Sequence, residues 1–267
     1  MSFWESLRVA ITALRANKLR SMLTMLGVII GVGSVIVMIS IVQGARQQVV
    51  TEFEGIGSDL IFVEYAPKEG RRGGSFDGLR MVDVEAIERR ADLVAYLSPI
   101  AQEYVQATRG TKQEGVQLVG VTENFGHVTN VEVSRGRFLR LDDMGTWSKV
   151  CVIGDKVRRD LFGDADPLGQ TVNVQRGENR VPLIVVGLLE KKGRGFGGEV
   201  DNQIFAPLPA IQKRLTGSDR INSIRARAVG AGQSEAAADQ VYAVLKQRYP
   251  ASAQDFIVDT QEGLLKS

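Results

Sequence analysis

The sequence predicts a mixed α+β domain held outside a membrane by one N-terminal transmembrane helix. Three observations carry that class. Residues Ser21 to Ala45 contain no charge, and a helix needs roughly 20 apolar residues to cross the hydrocarbon layer. Beyond residue 46, short period-two runs are interspersed with short helical patterns, without the strict alternation of a parallel α/β sheet. The charge is also divided. The chain carries 33 Lys and Arg against 31 Asp and Glu, yet Arg8, Arg15, Lys18, Arg20 and Arg46 face only Glu5 in the first 46 residues, leaving the remainder at net −2. A folded part with that balance has no polyanion-binding field, so nucleic acid is excluded as a partner class.

The first element, residues 1–20, places Phe3, Trp4, Leu7, Ile11 and Leu14 at helical spacing, with Arg8, Arg15 and Lys18 largely off that stripe. This pattern suits an amphipathic helix lying in the lipid headgroup layer. The second element, residues 21–45, has no polar face and is too long for the apolar core of a signal peptide, so it reads as a retained span. Arg15, Lys18 and Arg20 sit just before it, whereas Arg46 beyond it is mixed with Glu52 and Glu54. The positive-inside rule then places the N-terminus in the cytoplasm and residues after about 46 outside, which is the periplasm in a bacterium with two membranes. Gly27 and Gly31 form one small-xxx-small pair, Ser40 and Gly44 a second, and such pairs let helices approach closely.

The outward part, residues 46–267, begins with a helix leaving the membrane, a break at Gly55 and Gly57, and a strand from about Asp59 to Tyr65. "KEGRRGGSFDG" reads as a loop and "MVDVEAIERRA" as a short helix. "VAYLSPIAQEYVQATRG", "EGVQLVGV", "KVCVIG" and "VPLIVVGLLE" read as strands. "DKVRRDLFG" is a helix closed by Gly163, and "DADPLGQ" is a turn. "INSIRARAVG" is a strand, "SEAAADQVYAVLKQRYP" a helix and "DFIVDT" a last strand.

Catalytic signals are sparse. There is no GxxxxGK[ST] phosphate loop, so ATP hydrolysis by that route is not expected of this chain. Cys151, the single cysteine, lies in an apolar run and reads as a small buried hydrophobe. His127, the single histidine, has no Cys or His at ligand spacing and reads as a turn or surface residue, so no metal ligand is assigned. Asp142 and Asp143 read as a helix start or turn. "GRGFGG" (Gly193 to Gly198) looks superficially like a phosphate-binding loop but leads into a strand-like run, not a helix. No catalytic or cofactor-binding residue is expected.

Several stretches in order resemble one family, the permease subunits of ATP-binding cassette transporters related to the macrolide exporter MacB. They are "LRVAITALRANKLRSMLTMLGVIIGVGSVIVM", "GSDLIFV", "VQLVGVTENF", "VSRGRFL", "VCVIGDKVRRDLFGDADPLGQTVNV", "VVGLLEKKG", "DNQIFAPL", "RLTG" and "DFIV". The resemblance implies a two-lobed extracytoplasmic domain, with one lobe from about 58–118 and 221–262 and an inserted lobe from about 119–220. It implies a permease in the inner membrane, working as a homodimer or paired with a second permease copy. ATP would be used on an ABC ATPase subunit, and Gram-negative relatives add a periplasmic adaptor and an outer-membrane duct. Such systems expel antibiotics, toxins or peptides, or release lipoproteins. Family permeases carry four spans and this sequence one, so the sequence is expected to be the N-terminal part of such a subunit, with the ATPase on a separate chain. Two alternatives are a transmembrane regulator of cell-wall hydrolases on the same architecture, and a self-contained membrane-anchored binding module.

Overall fold

The computed structural model describes residues 4–5, 8–9, 12, 16–54, 59–67, 78–191, 194–195, 198–230, 232–261 and 263. The break at Gly55 and Gly57, the loop 68–77, Arg15 and most of the N-terminal amphipathic stripe lie outside the described residues. The chain forms two compact units, residues 1–51 and 52–267.

The first unit is dominated by α1 (Lys18–Glu54). Within its stretch Lys18–Gly44 an 18-residue window reaches a mean hydropathy of 2.7, and no residue of that window is buried within the protein. Apolar residues surround this helix on every side, as a lipid solvent requires and a soluble core helix does not show. Thr24 Oγ1 donates to the Arg20 carbonyl at 2.6 Å and Ser34 Oγ to the Gly31 carbonyl at 2.8 Å, so these hydroxyls are satisfied within the helix.

In the second unit the elements run β1 (Leu60–Tyr65), α2 (Met81–Arg90), β2 (Val94–Arg109), β3 (Lys112–Val121), α3 (Phe125–Thr129), β4 (Val133–Gly136), α4 (Leu141–Gly145), β5 (Val150–Ile153), α5 (Asp155–Phe162), β6 (Thr171–Arg176) and β7 (Asn179–Leu189). A two-residue ribbon follows, β8 (Arg194–Gly195) with β9 (Gly198–Glu199). Then come β10 (Gln203–Pro207), α6 (Leu208–Ile211), a π-turn at Gln212–Thr216, β11 (Ser223–Ala228), α7 (Ser234–Arg248) and β12 (Phe256–Thr260). The mixed class is the one the sequence predicts.

The sheet has two parts joined by β2. Its first half pairs antiparallel with β11, from Val94↔Ala228 to Ile100↔Ser223, and β11, β1 and β12 complete an open antiparallel sheet. The second half of β2 pairs with β3 over Ala101↔Gly120 to Arg109↔Lys112 and, on its other edge, with β6 over Gln106–Thr108. From there the ladders run β3–β10–β5–β7–β6 and back to β2, with β3/β10 and β5/β7 parallel. Six strands therefore close on themselves as a barrel, which removes their free edges. The sheet changes hands at Ile100/Ala101, and β3 pairs wholly within the barrel. The change of ladder partner thus falls inside β2.

Strand alternation fills the barrel. Val116 and Leu118, Cys151 and Ile153, Val172 and Val174, Leu183 and Val185, and Ile204 and Ala206 form one buried cluster, and α5 adds Val157 and Leu161. The intervening Val119, Val152 and Phe205 belong to a second cluster on the outer side, with Phe125 and Leu139. The open sheet instead buries Ile61, Val63, Ile224 and Ala226 beneath α2 and α7, through Val84, Ile87, Val241 and Leu245. Gly154, between β5 and α5, is held by packing: a Cβ there would overlap the Val200 and Asp201 carbonyls.

Candidate functional site

The first candidate element is α1. Lys18 and Arg20 begin it, and Arg15 lies outside the described residues. Gly27, Gly31, Ser40 and Gly44 are all exposed, and a Cβ at any of these glycines would meet nothing within 4 Å. At about 100° per residue the pair Gly27/Gly31 and the pair Ser40/Gly44 lie roughly 140° apart around the helix. The two pairs thus lie on different sides of the helix.

The second unit carries its charge in struts. Asp83, fully buried at the start of α2, accepts from the Arg80 N–H at 2.9 Å, from Arg248 Nε at 2.9 Å and from the Tyr249 hydroxyl at 2.8 Å. It therefore ties the start of α2 to the end of α7. Burial, followed by the hydrogen bond to Asp83, raises the Tyr249 phenol above its ordinary range. Arg137 donates to Asp143 through Nη1 at 2.6 Å and Nη2 at 3.1 Å, and the Arg140 N–H adds a bond at 2.8 Å. Burial alone would raise the Asp143 carboxyl, but these donors outweigh it and hold the group below the usual carboxylate range. Asp142 and Asp143 open α4, as their sequence pattern suggests.

Arg225 lies on the face of the open sheet opposite α2 and α7. Its guanidinium stands 4.8 Å from the Phe62 ring centroid and 3.2 Å from Glu64 Oε1, while its Nη1 is buried without a hydrogen-bond partner. Desolvation pushes its pKa down. His127 is exposed on α3 and stacks on Tyr96 at 5.4 Å, and its carbonyl accepts from Arg227. Cys151 is fully buried in the barrel, where desolvation raises its thiol far above the ordinary value. Among the described residues no group of three or more His, Cys, Asp or Glu is arranged to hold a metal ion.

The spacing of Gly27, Gly31, Ser40 and Gly44 was legible in the sequence; Asp83 and Arg225 were not singled out there. An acid three residues into a helix was the available signal for Asp83. Nothing local marks Arg225, whose burial depends on strands far apart in the chain.

Comparisons with known proteins agree with this architecture. The family model described as the MacB-like periplasmic core domain matches residues 21–244. The macrolide export ATP-binding/permease protein MacB 1/2 of Paracoccus denitrificans is 32% identical over 259 residues, covering 97% of this chain and 38% of the relative. MacB of Neisseria meningitidis is 28% identical over 265 residues, covering 98% of this chain and 40% of the relative. The chain thus spans about two fifths of the length of these relatives. Among solved structures, the periplasmic region of MacB from Actinobacillus actinomycetemcomitans superposes with a TM-score of 0.67 at 20% identity, covering 80% of this chain and 94% of that one. The extracellular domain of the noncanonic ABC-type transporter YknZ from Gram-positive bacteria gives 0.62 at 18% identity, covering 75% and 99%. With a family match over most of its length and the same fold in two solved domains, this chain belongs to the MacB-like periplasmic core domain family, and it carries that domain behind an N-terminal helix long and apolar enough to span a membrane.

Proposed function

We propose that the chain is a permease segment of a MacB-type ABC exporter, lying in the cytoplasmic membrane with its N-terminus inside and the β-rich domain in the periplasm. The observation that carries this reading is the pairing of a family-matched extracytoplasmic domain with a span whose side chains are all unburied within the chain. A helix apolar on every side, with small-residue pairs on two faces, suits packing against several other spans and a second permease copy. ATP is hydrolysed on a partner ATPase, whose motion the span bundle passes to the outward domain. A periplasmic adaptor and an outer-membrane duct complete the route in Gram-negative cells, for antibiotics, peptides or lipoproteins. A regulator of cell-wall hydrolases on the same architecture is the competing reading. Co-purification from cells carrying the complete gene separates the two: an ATPase and an adaptor are expected, and a hydrolase activator in their place sinks the exporter.

Orientation has its own test, helped by the silent thiol of Cys151. A membrane-impermeant maleimide applied to intact spheroplasts is expected to label Glu178→Cys, in the exposed loop before β7, and to spare Glu5→Cys. The opposite pattern overturns the topology.

A further inference from the structure

A cleft of about 730 Å³ opens where the chain returns from the barrel to the open sheet. Arg80 and Met81 line it from the start of α2, and Lys213, Ser218, Asp219 and Arg220 from the π-turn and the segment after it. Three basic residues and one acidic residue thus line one concave volume, and Met81 is the single apolar residue among them. A recess walled by protein focuses the field of such charges more than a flat surface does.

The backbone here is also unusual. Gln212–Thr216 is a π-turn, a rare form that recurs at functional sites. Gly217 ends it with φ +65°, in the left-handed region that favours glycine. The turn is anchored from below, since Ile211 and Leu215 are fully buried in the barrel cluster. Lys213 is left exposed above them, 6.0 Å from the Trp147 ring centroid. On the other wall, Arg80 pairs with Asp219 at 3.3 Å across the cleft, and a backbone bridge joins Arg80 to Arg220.

We propose that this cleft binds a small polyvalent oxyanion, a molecule presenting clustered phosphate or carboxylate groups. Two guanidinium groups and an ammonium match such groups in charge and in the kind of donor they offer. Asp219 is the internal competitor: it holds Arg80 until the ligand arrives. Because Arg80 leads into a helix packed on the open sheet while Lys213 rides on the barrel, a bound anion links the two halves of the domain at the point where the chain passes back between them.

The test uses the whole chain in a neutral detergent, with Trp4→Phe so that Trp147 is the remaining tryptophan. Inorganic pyrophosphate and citrate are titrated separately at low ionic strength, followed by Trp147 fluorescence and calorimetry. Saturable binding is expected, weakened about fivefold by Lys213→Gln and by Arg220→Gln, and tightened about fivefold by Asp219→Asn. The tighter of the two probes assigns the ligand to phosphate or carboxylate chemistry. Absence of saturable binding for both probes overturns the proposal. So does an affinity that the Lys213 and Asp219 variants leave unchanged, and both positions are exposed enough for those variants to fold.

Discussion

The barrel and the open sheet share β2 yet solve the problem of burial differently. The barrel closes its ladder on itself and fills the inside with mainly aliphatic side chains from all six of its strands. The open sheet has edges at β12 and needs two helices to cover one face, and those helices are tied together by a buried carboxylate. Closure by hydrogen bonds needs no charge in the interior. Cover by separate helices requires something that sets their relative position, and Asp83 does that through a guanidinium, a phenol and a backbone N–H.

That contrast can be tested most strongly inside the barrel. Leu183→Ala, at a fully buried position, should cost about 4 kcal/mol, because a closed ring of strands relaxes little around the lost volume. Val241→Ala beneath the open sheet should cost about 2 kcal/mol, since α7 can settle toward the gap and fewer atoms are removed. Denaturant unfolding of both variants measures the difference, and equal costs would remove the mechanical distinction between the halves.

A smaller effect probes the strut. Asp83→Asn keeps the shape but weakens the charge-assisted bonds to Arg248 and Tyr249, with an expected loss of about 2 kcal/mol. Cys151 then reports on the barrel separately. If the halves open independently, its thiol stays unreactive under conditions where near-ultraviolet circular dichroism shows the Tyr249 region loosened. Simultaneous exposure of Cys151 would instead show one cooperative unit.

The smallest expected effect is electrostatic and lies on the outer side of the barrel. Asp143 has a lowered pKa in the folded protein, so its pair with Arg137 stabilises the fold above the ordinary carboxylate range. That contribution is lost as pH falls through the depressed folded value. Arg137→Gln should remove about 1–2 kcal/mol at neutral pH and flatten the acid limb of the stability profile. An unchanged limb would mean that the pair adds little beyond its geometry.

Much of the element order was legible because its signals are local. α5 ends at Gly163, whose φ is +63°, as expected for a glycine closing "DKVRRDLFG". "SEAAADQVYAVLKQR" is α7 and "FIVDT" is β12. A local turn signal also separates β6 from β7. β6 and β7 form a hairpin across Gly177 and Glu178, with Gly177 at φ +57°, a short-loop signal preceded by the alternation in "TVNVQR". The π-turn leaves no such mark, because its extra residue per turn is set by how Ile211 and Leu215 dock into the barrel.

The amino-acid sequence by itself determined the span, its charge asymmetry, the spacing of its small residues and most strands and helices. Each of these depends on neighbours within a few positions or on composition over about 20 residues. Only the tertiary structure decided that β2 serves two sheets, that β6 returns to it to close a barrel, and that Arg80 meets Asp219 and Arg220 around one cleft. Those contacts join residues 60 to 140 positions apart, and their register is fixed by which faces are buried together, a quantity no local window contains.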